Sequence, residues 1–478
     1  MTPANVLPAG PLNVAVLALL ALGFVAIAGV LPLGPAALAV PGIAVGVLAL
    51  TVPRLALALL ILSIPFSSWT KVTLGTFDIT ATDVLVGALA LGWLVPGLLG
   101  RSIFIARGPT IATALVLLCA MLLSTLTASD LPSAVKEVIK LAEVLVVALY
   151  VASTVRTGGD LKFVLFVSLG AAVAESFVGL YQFITGSGPE TFQIGPFIRA
   201  YGDFSQPNAF AGYLAVILPF GIALSLLRTP DRWPAMVATL IIGAAVLASL
   251  SRGAWVGLGL ALSIMALIWG AGTRLALAAA GGLAALGLIF GAAGLLPEVI
   301  TDRVVVVLEN FAVFDVRSVE PNPSNFALVE RLAHWYAAWG MFEANPITGV
   351  GPGNYDQAYE VFQLQGWPES LGHAHNYYLN TLAELGILGF LAFVVFMVSI
   401  FVRAGQAIRP SARLGPIYRA AAIAALGAAV TLSTHNAFDN MLVHGIGVQF
   451  GIVIGVIELI AAGAAPSSGS SMQQDTPG

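Results

Sequence analysis

Charge is what this chain has least of. Asp, Glu, Lys and Arg make up 9% of its residues, where soluble domains carry about 25%. With 58% hydrophobic residues and a mean hydropathy of +0.95, that deficit excludes a soluble globular protein. Basic residues number 20 against 24 acidic ones, for a net charge of −4, and they form no run, which removes the electrostatic footprint that nucleic-acid binding needs. One cysteine, Cys119, excludes an intrachain disulfide; its setting, VLLCAML, reads as a small core position. No basic stretch precedes the first apolar run near residues 12–31, so this run reads as a retained helix rather than a signal peptide. No repeat of fixed period is present.

What the chain has is a succession of apolar runs. Against the roughly 17–25 residues that a spanning helix needs, spans fall near 12–31, 35–52, 55–67, 83–100, 109–128, 137–155, 161–184, 208–227, 234–251, 253–270, 275–296, 375–402, 417–434 and 443–463. The 55–67 run is short and could form a re-entrant pair with 35–52, so the expected architecture is an all-α integral membrane protein, a polytopic bundle of about 12–14 transmembrane helices. Four regions follow: an N-terminal bundle over 1–296, a large extracytoplasmic loop over 297–374, C-terminal helices over 375–463 and a polar, disordered cytoplasmic tail over 464–478. With the first residue in the cytoplasm, alternation places Arg54, Arg107, Arg156, Arg228, Arg403, Arg413 and their neighbours inside, the positive-inside pattern. Lys71, Lys136, Lys140, Arg199, Arg252, Arg303, Arg317 and Arg331 are left outside.

Two outer segments stand out by length, 185–207 and 297–374, and long loops are usually functional. In the second, FALVERLAHWYAAWGMFEANP predicts an amphipathic helix ended by Pro346, with Leu328, Leu332, Trp335, Trp339 and Phe342 as one stripe lying along the interface or capping the bundle. Beyond it, GHAHNYYLNTLAELGILG gathers scarce polar residues at the mouth of a span. His375 precedes the helix, and Asn376, Asn380 and Glu384 recur at i, i+4, i+8, a stripe that must face protein or water. A helix N-terminus disfavours an imidazolium, so a histidine there stays neutral and can act as a base. Gly386 and Gly389 are expected to permit close helix packing. The turn GVGPGNY, residues 349–355, lacks the ending of a nucleotide-binding loop and reads as a tight turn that brings backbone near a sugar or the helix cap. THNAFDN places His435 and Asp439 at i, i+4, read as a polar pair at a helix end. No cluster shows metal-ligand spacing: His373 and His375 have no carboxylate near them in sequence.

These motifs resemble the O-antigen ligase and O-antigen polymerase superfamily of membrane glycosyltransferases. The match is a His-Asn pair, His375-Asn376, nine residues, then Gly386-Ile-Leu-Gly389, preceded by RLAHWYAAWGMFEANPITGVGPGNY, with FSQPNAFAGYL and LSRGAWVGL upstream. It spans about residues 195–400; the first 190 agree only in hydrophobicity. The resemblance implies transfer of a glycan from an undecaprenyl-diphosphate carrier to an acceptor hydroxyl on the outer face of the cytoplasmic membrane. It implies that His375 activates the acceptor and that Arg331, Arg252 and Arg199 hold the diphosphate. Asn376, Asn208 and Tyr355 are the further substrate-binding candidates. Arginine neutralises a diphosphate leaving group without a metal, and the expectation is no cofactor, no metal and an inverting single displacement. The expected partners are the lipid-linked donor, a lipid A-core or other glycan acceptor, and membrane lipids.

Ligase, polymerase and protein oligosaccharyltransferase all need that base and clamp, and the complete His-Asn spacing favours ligase. A small-anion transporter is the reading from another class; it would use Glu143 and Glu175, which lie within spans, although Glu143 could simply pair with Lys140. Polar residues concentrated at outer helix ends rather than mid-bilayer favour the enzyme.

Overall fold

The computed structural model describes residue 48 and residues 52–74, 77–98, 105–292, 315–322, 325–443 and 445–463. The expected spans 12–31 and 35–52 and the polar tail fall essentially outside them. The described residues form fourteen α-helices and two short hairpins, an all-α multi-pass membrane protein. The helices are α1 (Pro53–Ser63), α2 (Ala81–Leu98), α3 (Pro109–Ser124), α4 (Leu131–Thr154), α5 (Gly158–Thr185), α6 (Pro207–Ser225), α7 (Arg232–Ala248), α8 (Arg252–Trp269), α9 (Ala271–Ala292), α10 (Phe326–Ala344), α11 (Tyr355–Phe362), α12 (Tyr377–Leu414), α13 (Pro416–His435) and α14 (Ile446–Ala461). Six of the apolar stretches are long enough to cross a membrane, within α5, α6, α8, α12 and α13 and from α3 into the turn that follows it. At 1.5 Å per residue, α1 reaches only about 16 Å, roughly half a bilayer core, and gives way to the antiparallel hairpin of β1 (Val72–Leu74) and β2 (Phe77–Ile79).

Sequence explains where several of these helices begin. Thr157 and Asp160 form a capping box on α5, moving its start ahead of the expected residue 161. Prolines occupy the first turns of α3, α4, α6 and α13, where a missing N–H costs nothing. Large apolar residues such as Leu60, Leu169, Phe210 and Ile457 fill the interior, and glycines set the closest helix approaches. α14 lies along α4, and a Cβ at Gly451 would meet the Val144 carbonyl oxygen at 2.7 Å; α8 lies along α13, with Gly257 against the Thr431 carbonyl oxygen at the same distance. Dispersion and close backbone approach hold helices together where lipid cancels the hydrophobic drive. Cys119 is exposed, contrary to the core reading, because α3 lies at the periphery with most of its surface turned away from the bundle.

The amphipathic helix of the long loop is α10, and its packed face is wider than the expected stripe: Leu332 is buried with Leu328 and Trp335 packed about it, and a row of small residues is buried beside them. Val329, Ala333, Ala337 and Met341 are fully buried, while Trp339 is 49% exposed. Alanines let α10 press against α12, which the large tryptophans would have prevented.

The least expected feature lies in α12. Gly386 has φ +61° and breaks the helix. A Cβ there would lie 2.4 Å from the Ile347 carbonyl, so the residue combines a left-handed backbone with a close approach that only glycine permits. The break is spliced by the turn before α11: Val350 N–H donates to the Ala383 carbonyl (3.0 Å) and Gly351 N–H to that of Glu384 (2.9 Å), while Ile387 N–H donates to Pro346 (2.9 Å) and Leu388 N–H to Ile347 (3.3 Å). GVGPGNY thus docks on a broken helix, and Gly386 serves this junction rather than helix packing.

Candidate functional site

The polar stripe at the head of α12 does face protein. Asn376 caps the helix, its Oδ1 accepting from Tyr378 N–H (3.0 Å) and Leu379 N–H (3.1 Å). Asn380 accepts from Ala374 N–H (3.0 Å), and Glu384 accepts from Tyr355 N–H (3.2 Å). Asn380 therefore holds the loop that presents His373 and His375, and Glu384 holds the start of α11. His375 takes φ +50°, a strained conformation for a side-chain-bearing residue that turns its ring out of the helix line.

That ring meets a carboxylate from another part of the chain. Asp439 Oδ1 lies 3.4 Å from His375 Nδ1 and 3.6 Å from His373 Nε2. Burial pushes the Asp439 carboxyl up, but the His375 hydrogen bond and the surrounding histidines outweigh it and hold the group below its ordinary range. Burial lowers His373 to about 4 against the pull of Asp439. His334 packs its ring 5.3 Å from that of His375, with Tyr355 Oη at 3.3 Å; burial and then the two neighbouring histidines lower it to about 4. His375 Nε2 is buried and has no hydrogen-bond partner. The arrangement is an imidazole oriented on one nitrogen and unengaged on the other.

Beside it lies a cavity of about 280 Å³ lined by Arg199, Asn208, Arg252, Arg331, His435 and Asp439 among others. The structure brings all three sequence-predicted arginines and Asn208 into this one place. Arg199 comes from the hairpin of β3 (Gln193–Ile194) and β4 (Phe197–Ile198). It donates from Nε to the Ser249 carbonyl (2.8 Å) at the C-terminus of α7 and from a terminal nitrogen to Asn208 Oδ1 (2.8 Å), rather than to Asp203. Asn208 in turn donates to Asp439 Oδ2 (2.7 Å), so one amide links arginine to the carboxylate behind His375. Burial, and after it the proximity of Arg252, lower the Arg199 guanidinium to about 10, still ionised at neutral pH. Asn208 stands in the first turn of α6 and Arg252 begins α8; two helix N-termini thus open on the cavity with their positive dipole ends. Concave, cationic and dipole-lined, it suits a polyanion such as a diphosphate.

Tyr355 lies elsewhere: it is completely buried and donates to the His334 carbonyl (3.0 Å). Asn376 has its carbonyl oxygen committed to the cap. Of the acidic residues within spans, Glu175 accepts from Asp203 N–H (2.7 Å), tethering the 195–206 loop, and Lys140 pairs with Glu137 (2.5 Å) rather than with Glu143, which is hydrogen-bonded to Asp83. The sequence reading passed over Asp439 as an acid near the histidines, and with it a cluster of the right composition for a metal. His373, His375 and Asp439 each offer a ligand atom within 4.8 Å of the others, the carboxylate arriving from more than sixty residues away. The i, i+4 pair in THNAFDN was the available signal.

A family model described as O-antigen ligase matches residues 237–394, a segment that contains Arg252, Arg331, His373 and His375 and excludes Arg199, Asn208 and Asp439. No curated relative matches the chain.

Proposed function

We propose that the chain, whose residues 237–394 match the O-antigen ligase family model, is a membrane glycosyltransferase of the ligase/polymerase type and moves a glycan from an undecaprenyl-diphosphate carrier to an acceptor hydroxyl. In this reading it works as an O-antigen ligase with a lipid A-core acceptor, in the cytoplasmic (inner) membrane with its site facing the periplasm. The observation that carries the reading is the unengaged Nε2 of His375 beside a cavity that gathers three arginines.

Asp439 keeps the proton on His375 Nδ1, leaving the Nε2 lone pair to take the proton of the acceptor hydroxyl. The acceptor oxygen attacks the anomeric carbon, the bond from that carbon to the diphosphate oxygen breaks, and the electron pair leaves on the diphosphate. Arg199, Arg252 and Arg331 neutralise the charge that develops there. Asp439 then stabilises the imidazolium, as the carboxylate of a catalytic triad does. One displacement inverts the anomeric centre; linkage analysis showing retention would overturn this mechanism.

The test is glycan transfer and release of undecaprenyl diphosphate by the reconstituted protein. His375→Ala is expected to lower turnover by about 10²–10⁴-fold with donor binding intact, and Arg331→Ala to weaken donor binding. Equal activity of His375→Ala and the native chain would remove the base from the mechanism. The second reading rests on the His373–His375–Asp439 cluster: a cation there would take the place of the Nδ1 proton. Turnover lost in chelator and restored by one added cation would favour it; turnover unchanged in chelator favours the metal-free base.

A further inference from the structure

Arg199 follows directly on β4, and residues 199–206 form neither helix nor strand before α6 begins. A segment of that kind does not hold an arginine in place by itself, so its position has to come from what the segment lies on. The C-terminal end of α5 supplies this with one face. Glu175, Gly179 and Gln182 follow at i, i+4, i+7 and so share one stripe of the helix. Gly179 leaves the room that the Phe210 ring of α6 fills, since a Cβ there would lie 2.3 Å from that ring. The two polar side chains on either side of it turn to the loop.

Gln182 is the more fully engaged. Its Oε1 accepts from Gly202 N–H (2.7 Å) and Tyr201 N–H (3.2 Å), and its Nε2 donates to the Gly202 carbonyl (2.9 Å). Two donors at one atom and a carbonyl at the other are a set that an amide matches and a carboxylate does not, because a carboxylate has no proton to give. Glu175 then accepts from Asp203 N–H, and Phe183 stacks on Phe197 of β4 with ring centroids 5.3 Å apart. Gly202 and Asp203 are buried, so the loop cannot give up these bonds without moving toward water. Arg199 would move with it. Its N–H donates to the Phe192 carbonyl (3.1 Å), and that of Ala200 to the Ala248 carbonyl (3.0 Å), which makes the arginine continuous with the held stretch.

Resting on the transferase reading above, we infer that Gln182 is a positioning residue for the donor: it does not line the arginine cavity, but it holds residues 201 and 202 on α5 and thereby sets where Arg199 meets the diphosphate. The bonds of the guanidinium to Ser249 and Asn208 give it a direction, and Gln182 gives its backbone a place from which both can be reached.

The experiment uses the full chain in nanodiscs. It reads binding of undecaprenyl diphosphate, and the donor and acceptor KM for transfer from an undecaprenyl-diphosphate-linked oligosaccharide to lipid A-core. Gln182→Ala is expected to weaken binding about tenfold, the lower end of what one charge-assisted contact supplies, and to raise the donor KM to match with the acceptor KM unchanged. In an Arg199→Ala background the same substitution should change binding by less than about twofold, because residues that act through one contact are not additive. Gln182→Met, which keeps the length of the side chain without its polar atoms, serves in the same cycle if the alanine variant does not fold. Equal fold-losses in the two backgrounds overturn the inference, as does native affinity in the folded Gln182 variants or a matching rise in acceptor KM. If the native chain transfers nothing but the binding cycle comes out as expected, the transferase reading fails and the positioning role stands. If the native chain does not bind undecaprenyl diphosphate, both fail.

Discussion

Two arginines in this bundle are buried by opposite means. Arg403, far along α12, meets Glu458 of α14 with both carboxylate oxygens in reach (2.8–3.3 Å), and the pair is almost wholly enclosed, at 12% and 2% exposure. Arg199, at the loop end, is held by a backbone carbonyl and an amide, both uncharged. The first arginine is neutralised where it stands, and its role is to join two helices. The second is fixed in direction by neutral groups, and in the proposed mechanism its charge meets the diphosphate. On that mechanism the charge of what holds each arginine, rather than its burial, separates the two roles.

Removing the acid should break this contrast most severely. Glu458→Ala leaves Arg403 enclosed without a counter-charge, and the expected loss is about 3–5 kcal/mol of stability, read as a fall in Tm in detergent, with binding of undecaprenyl diphosphate unaltered in whatever fraction folds. Arg199→Ala should do the reverse. One charge-assisted contact to the diphosphate is worth about 1.5–3 kcal/mol, a loss of roughly tenfold to a hundredfold in donor affinity, with little change in Tm. If Arg199→Ala proves as destabilising as Glu458→Ala, the two arginines are alike and the comparison fails.

A smaller effect sharpens the contrast inside the site. Asn208→Asp turns the amide between Arg199 and Asp439 into a second carboxylate beside the first, drawing Arg199 into an ion pair and raising the pKa of the acid pair. Turnover should fall and its acid limb move to higher pH, while Asn208→Ala should lower turnover without that movement. An acid limb unmoved in Asn208→Asp would show that the amide does not couple the cavity to the base.

The smallest expected effect concerns pH. His334 and His373 titrate near 4 in the folded chain, below the ordinary value of about 6.5, so between those limits the unfolded state binds more protons and stability declines as pH falls. Asp439, whose carboxyl is likewise held below its ordinary range, stays ionised through this window and loses its contribution only below the usual carboxylate range. Lowering pH from 7 to 5 should therefore cost on the order of 1 kcal/mol per pH unit, measurable as a drop in Tm that His334→Phe makes shallower. A Tm independent of pH over that interval would mean that these rings are solvated.

Much of this was legible beforehand, for definable reasons. Apolar runs of fixed length reveal spans because a bilayer sets the length, and the segments around Arg252, Arg331 and His375 carried a resemblance strong in the order of its parts. Asp439 was visible only as half of a helix-end pair, since the contact that matters joins it to residues 373 and 375 across the chain. Tyr355 looked available because it follows a glycine-rich turn; its ring is instead spent against His334. The α10 stripe was read in part, Leu328, Leu332 and Trp335 being packed; the row of alanines against α12 was missed because close packing against another helix favours small residues that a search for large apolar ones passes over.

The spliced break at Gly386 has a consequence for synthesis. Residues 346–351 leave the ribosome before α12 does, and they supply the hydrogen bonds that the helix lacks at its break. The second half of α12 thus cannot complete its backbone pairing from its own sequence, and the loop must already lie against it when that helix settles. Loop and helix mature together, so the segment that carries His375 takes shape only once the long loop is in place.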